Sequence, residues 1–225
     1  TENRLVGIVT FDDAMDVMED EATEDMEKMA AMLPSEHPYM RSTPIEIWKN
    51  RIPWLLLLMV SATLTGIVIT KFEDSLAVLP CLTAFIPMLM DTGGNSGSQA
   101  CVSIIRGISL NEIEFRDLGR VVWKEIRVSV LCGVCLAIAC FAKIIVVDML
   151  LLKSESVTYL VAFVVCATMA VTVCLAKIVG STLPLLAKKL GFDPAVMASP
   201  IITTIVDFLS LLVYFAFATA MLGIG

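Results

Sequence analysis

The sequence predicts an all-α integral membrane protein with five transmembrane helices per subunit, and three observations predict it. Apolar residues make up 57% of the 225-residue chain, and its mean hydropathy is +0.84, beyond what an ordinary soluble domain carries. Five apolar runs come near or exceed the roughly 20 residues a helix needs to cross a bilayer. Inside those runs the few polar and charged residues gather in one short segment or recur at helical spacing, as they do where helices line a polar path.

The bulk numbers also exclude. A net charge of −7 and a pI near 4.7 argue against nucleic-acid binding through a basic surface. The single histidine, His37, precedes the first membrane run, so a histidine-based catalytic or metal site within the membrane is ruled out. The seven cysteines lie in or beside apolar runs and read as small packing residues. Cys132 and Cys135 form a C-x-x-C that lacks a second pair. No nucleophile–base pair or P-loop is present, so the chain is not expected to be an enzyme. The sequence opens at Thr1 without an initiator methionine and reads as a piece of something longer.

In order, residues 1–33 read as the remnant of a cytosolic domain, 34–53 as a linker with a connecting helix, and 54–225 as the membrane domain. Arg4–Thr10 has the apolar, β-branched character of one strand, and Asp12 or Asp13 can cap the helix that follows to about Met32. That helix carries Met15, Met18, Ala22, Met26 and Met29 along one face and a row of carboxylates on the others. The methionine stripe reads as packing. The acids are either a solvated face or a divalent-cation site, since an oxygen-seeking cation relieves carboxylate repulsion. Pro34, Pro38 and Pro44 punctuate the linker, and a short amphipathic helix over Ile45–Arg51 sets Trp48 at the interface. The membrane runs are expected at Trp54–Thr70, Leu76–Ile105, Val121–Leu152, Val157–Leu186 and Ala195–Leu222. Basic residues crowd one side of them, which by the positive-inside rule makes the N-terminus cytoplasmic and the C-terminus extracytoplasmic. The stretch Asn111–Arg127 is expected as a cytoplasmic helix entering the third run.

The second run holds PMLMDTGGNSGSQ, residues 87–99, with three glycines among six polar side chains. An unpaired polar group in hydrocarbon costs about 2–7 kcal/mol, so this segment must line a cavity or water. Its glycines, with Pro80 and Pro87 before it, predict an interrupted helix that exposes carbonyls. Asp91 opens a stripe with Asn95 and Gln99. In the fifth run Asp207 shares a stripe with Ser199, Thr203, Ser210 and Tyr214, and Pro200 frees carbonyls near its start. Lys177 lies deep in the fourth run. Either Asp91 pairs with Lys177, leaving Asp207 uncompensated, or Asp91 lines the path itself.

PMLMDTGGNSGSQ, the later GFDPAVMASPIITTIVD and the opening LVGIVTFDDAMDVMEDEATED together resemble the MgtE magnesium channel/transporter family, in order and over essentially the whole chain. The resemblance implies a homodimer in the plasma membrane with one central pore lined by spans two and five. It also implies a cytosolic Mg²⁺ sensor, of which residues 1–33 would be the end of the second CBS domain. Asp207 would match the selectivity aspartate, Thr203 and Gly94 would offer carbonyls, and Asn95 would sit beside the path. Asp13, Asp16, Glu21, Glu24 and Asp25 would match part of the sensory acid cluster.

Two carboxylates meeting across a two-fold axis favour a divalent over a monovalent cation, and Mg²⁺ keeps most of its water. The expectation is therefore outer-sphere recognition of hydrated Mg²⁺ at paired Asp207, with Mn²⁺, Co²⁺ and Ni²⁺ similar in size and geometry. Two other classes compete: a secondary carrier coupling a small solute to ions, and a non-conducting membrane metal sensor.

Overall fold

The computed structural model describes residues 7–35 and 37–223, and among them every regular element is helical. The strand expected over Arg4–Thr10 is not found: residues 7–10 form none, and 4–6 lie outside the described residues. Helix α1, Phe11–Met29, starts on a capping box in which Thr10 and Asp13 exchange backbone and side-chain bonds. The methionine stripe does not pack along its length. Met15, Met18 and Met26 are exposed, and Met29 alone among them packs on a membrane-domain core cluster.

A second capping box, Thr43 with Glu46, opens α2, Pro44–Ser61. This helix runs straight through Pro53, so the short helix expected over Ile45–Arg51 is the beginning of the first span instead of a separate element. Ala62 joins α2 to α3, Thr63–Lys71, and α4, Glu73–Val78, follows. A 3₁₀ segment, Pro80–Phe85, then leads into α5, Ile86–Ser109.

The second run is interrupted, but at residues 79–85, ahead of the glycine segment where the break was expected. Pro80 and Pro87 act at the entrance, giving the 3₁₀ turn and sitting at the first helical positions, where proline is tolerated. From Ile86 onward α5 is continuous for 24 residues. Its glycines bring helices together. A Cβ on Gly93 would lie 2.7 Å from Thr172 Cγ2, and one on Gly97 would lie 3.1 Å from the Ala176 carbonyl and 2.8 Å from Ile202 Cγ2. Small residues at a helix crossing let backbones approach in this way.

Instead of a full cytoplasmic helix, Asn111–Arg127 forms a turn, a short 3₁₀ piece (Phe115–Asp117) and the first turns of α6, Leu118–Lys143. A π-helical extension, Ile144–Leu151, completes that span. Helix α7, Tyr159–Leu190, ends at Gly191, whose φ of 81° is the left-handed geometry that glycine adopts without penalty. After a 3₁₀ turn, Pro194–Met197, α8 covers Ser199–Leu222.

The core lies where α5, α7 and α8 pack on one another, with α6 laid against α7. At one end Phe85, Leu89, Val165, Tyr214 and Phe215 are buried, and the Tyr214 hydroxyl donates to the Leu82 carbonyl at 3.0 Å. Cys101, Ile105, Ala176, Ile202 and Val206 form a second cluster. Four stretches are long and apolar enough to cross a membrane: Pro44–Lys71, Phe115–Leu151, Tyr159–Leu190 and Pro194–Leu222. Helix α5 is not in that set, because its polar segment lowers its apolar content.

Candidate functional site

Helix α5 has two dissimilar sides. Gly93, Gly97, Ala100 and Cys101 are buried against α7 and α8, whereas Asp91, Asn95 and Gln99, one helical row four residues apart, are exposed. A polar row on the outer surface of an apolar bundle needs a wet or polar neighbour. Helix α8 flanks that row. A Cβ on Gly94 would lie 2.9 Å from Thr203 Cγ2, so these two sequence-predicted residues meet. Asp207, one turn further along α8, is half-buried and close enough to Asp91 for the two carboxylates to repel each other. No ion pair neutralises either of them among the described residues.

Of the candidate set, then, Gly94 with Thr203 and Asp91 with Asp207 fall along one α5–α8 seam, and Asn95 is exposed in the same α5 row as Asp91. Ser199 begins α8, and its side chain lies outside what is described. The stripe expected to run with Asp207 divides. Ser210 and Tyr214 turn inward, fully buried, with hydroxyls bonded to the Val206 and Leu82 carbonyls. The Thr203 and Thr204 hydroxyls both donate to the carbonyl of Pro200, at 2.9 and 3.0 Å.

Asp91 and Lys177 do not pair. Gly97 marks the α7-facing side of α5 through Ala176 and Gly180, and six residues at about 100° each put Asp91 about 120° away from it. Lys177 stays buried, 5% exposed, on α7.

Two of the acids expected in the sensory cluster, Asp13 and Glu24, have local partners. Asp13 is occupied in capping, which with Thr10 as bonding partner holds its carboxyl below the usual range. Glu24 pairs with Lys28, and Lys28 also reaches Asp193 at 2.6 Å, tying α1 to the turn before α8. The bond to Asp193, then that to Glu24, holds the Lys28 ammonium well above its ordinary range. At Asp193 burial pushes upward, but the Lys28 and Ala195 N–H bonds outweigh it and the carboxyl is lowered. Asp25 is raised, by burial first and by Asp193 second. Asp16 and Glu21 are exposed. Among the described residues no group of three or more His, Cys, Asp or Glu is disposed to hold a metal.

Two features escaped sequence reasoning. Asp193, a helix-start carboxylate before Pro194, anchors α1. Lys143 and Asp148 form a 2.9 Å ion pair at the π-helical end of the Phe115–Leu151 stretch, with the ammonium 5.5 Å from the Phe85 ring centroid. Opposite charges five apart in one apolar run were the available signal.

A family model described as a divalent cation transporter, MgtE, matches residues 86–217, the stretch that contains α5 through most of α8. The chain belongs to the MgtE family. It is 35% identical over 221 residues to the magnesium transporter MgtE of Thermus thermophilus, and 36% over 220 residues to that of Bacillus subtilis. Each alignment covers 98% of this chain and 47% of the relative. The magnesium transporter MgtE of Enterococcus faecalis is 31% identical over 218 residues, 97% of this chain and 46% of its own. The chain thus spans about half the length of these curated relatives. MgtE membership and the four helices long and apolar enough to cross a bilayer together make it a membrane protein.

Proposed function

We propose that this chain is the pore-forming part of a homodimeric plasma-membrane channel that passes Mg²⁺ passively into the cytosol. In this reading α5 is a fifth transmembrane helix, and residues 54–225 form the pore domain. Residues 34–53 connect it to a regulatory remnant at 1–33, with the N-terminus cytoplasmic and the C-terminus outside. The observation that carries the reading is the exposed polar row of α5 beside a half-buried Asp207 without a counter-ion. Two such faces brought together across a two-fold axis enclose a water-lined seam with paired carboxylates.

The chemistry suits a hydrated divalent ion. One Asp207 per chain, with Asp91 beside it, supplies charge without the dense oxygen cage that suits Ca²⁺. Asn95 and the Gly94 and Thr203 carbonyls are available to bond the ion's waters, and Ser199 lies nearer the mouth. Mn²⁺, Co²⁺ and Ni²⁺ share that hydration geometry and are expected to pass. Moving a divalent cation through 100 mV yields about 4.6 kcal/mol, enough for inward flow without ATP. Asp13, Asp16, Glu21, Glu24 and Asp25 are assigned to a Mg²⁺-sensing surface completed by the rest of the full-length protein.

The test is Mg²⁺ uptake by proteoliposomes carrying Asp207→Asn. Flux should disappear or lose its divalent preference while the protein still elutes as a single assembled species. Undiminished Mg²⁺ uptake would remove Asp207 from the path.

A further inference from the structure

Helix α6 opens with a basic face that the bundle does not use. At about 100° per residue, Arg120, Lys124 and Arg127 fall in one row with Leu131, Val134 and Ile138, within about 80° of one another. All six are exposed, and so is Trp123 beside them. The single acid of α6, Glu125, keeps to another side, in the row of Val121 and Ser129, both buried. Local carboxylates take up only the foot of the face: Glu114 pairs with Arg116 at 3.0 Å, and Asp117 stands 3.9 Å from Arg120. Lys124 and Arg127 join no ion pair among the described residues. Beside that foot Lys189, from the end of α7, adds a further cation, its ammonium 4.0 Å from the Phe115 ring centroid.

Depth fixes what these charges meet. The Phe115–Leu151 stretch has 37 residues, whereas about 20 suffice to cross the hydrocarbon. Counting about 20 back from the Leu151 end reaches Cys132. Arg127 and Lys124 then lie about 8 and 12 Å beyond the hydrocarbon edge, headgroup depth for side chains of their reach. Leu131 stands at the boundary, with Val134 and Ile138 below it. Trp123 brings the amphipathic ring that favours such an interface. The row thus changes from cationic to apolar where the bilayer changes from phosphate to acyl chain.

We propose that this face of α6 binds an anionic phospholipid, its phosphate held by Lys124 and Arg127 and its acyl chains laid along Leu131, Val134 and Ile138. An arginine fork beside a mobile ammonium suits a phosphodiester, and a zwitterionic lipid would bring its own cation against them. An acidic protein segment would satisfy the charges but leave the apolar half of the row uncovered. The site is separate from the α5–α8 seam and does not depend on the pore reading.

Trp123 reports on the site directly. The full-length protein is prepared with every other tryptophan, Trp48 and Trp54 included, replaced by phenylalanine, and reconstituted in phosphatidylcholine bilayers. Its fluorescence is then titrated with brominated phosphatidylglycerol or brominated phosphatidylcholine. Half-maximal quenching should need about ten-fold less of the anionic lipid, the order that two basic residues at a membrane surface supply. In Lys124→Gln/Arg127→Gln the two lipids should quench within about two-fold of each other. Lys49→Gln/Arg51→Gln removes two exposed cations from α2 instead and should keep the parent's preference. Equal quenching by both lipids in the parent would overturn the proposal, as would a preference that survives Lys124→Gln/Arg127→Gln or is lost equally in the α2 variant. Glycerol phosphate in the buffer separates the sources: if it reverses the anionic-lipid quenching, the ligand is a soluble phosphate and the lipid assignment falls, whereas quenching that persists supports it. If the double variant does not assemble, Lys124→Gln and Arg127→Gln singly take its place. Each should lower the preference about three-fold, and an unchanged preference in both would overturn the proposal.

Discussion

Replacing Gly180 by alanine probes a close backbone approach between α5 and α7. A Cβ there would press on the Gly97 carbonyl oxygen and would lie 2.9 Å from the Gly97 carbonyl carbon and 3.1 Å from its Cα. All three are backbone atoms of α5, so no side-chain rotation relieves them. The helices must part by roughly an ångström before ordinary van der Waals spacing to the Gly97 oxygen returns. Overpacking of this kind costs about 1–3 kcal/mol, with rigid neighbours at the upper end. Alanine in place of a helical glycine returns up to about 1 kcal/mol. The net expectation is a loss of about 2 kcal/mol, roughly 30-fold in the folded ratio. Gly66→Ala is the matched control, because a Cβ there meets nothing within 4 Å and should be neutral or stabilising. Thermal unfolding in detergent, read as the surviving monodisperse peak on size exclusion, compares the two. If Gly180→Ala survives heating as well as Gly66→Ala, the close α5–α7 approach is not what holds the bundle.

Two further outcomes are expected. Lys143→Met leaves Asp148, whose side chain is 12% exposed, without its partner and should cost about 3–5 kcal/mol, most of it recovered in Lys143→Met/Asp148→Leu; a double variant less stable than the single would refute the pairing. The Lys28–Asp193 tie gives a pH signature. Asp193 is lowered from 3.8, so its contribution is present above that value and lost as pH falls through the lowered one. Lys28 is raised from 10.5, so its contribution is present below that value and lost as pH rises through the raised one. Docking of α1, followed by protease cleavage in the Ser35–Ser42 linker, should therefore be flat from about pH 5 to pH 10, and an undocking transition near neutrality would contradict this.

The candidate residues were conspicuous because a charged or strongly polar side chain in an apolar run is costly: Asp91, Asn95 and Asp207 stand out in one dimension. Their grouping was only partly legible. Helical spacing correctly set Asp91, Asn95 and Gln99 on one face, but the same arithmetic grouped Ser210 and Tyr214 with Asp207, although both turn into the core. The glycines misled, since a glycine that frees a backbone and one that admits a neighbouring backbone look alike until the partner helix is known. The Asp91–Lys177 pairing failed for a related reason. Which side of α5 meets α7 is fixed by Gly97, Ala176 and Gly180 together, and that crossing is a property of two segments about 80 positions apart in the chain.

The outward row of α5 has a consequence for how the protein is made. A newly inserted subunit would show Asp91, Asn95 and Gln99 to acyl chains, an arrangement hydrocarbon penalises at every residue. If the subunits pair as proposed, solitary ones should be short-lived, withdrawn by quality control or sheltered until a mate arrives. Cellular abundance would then rise more steeply than in proportion to synthesis, as expected when survival depends on encounter.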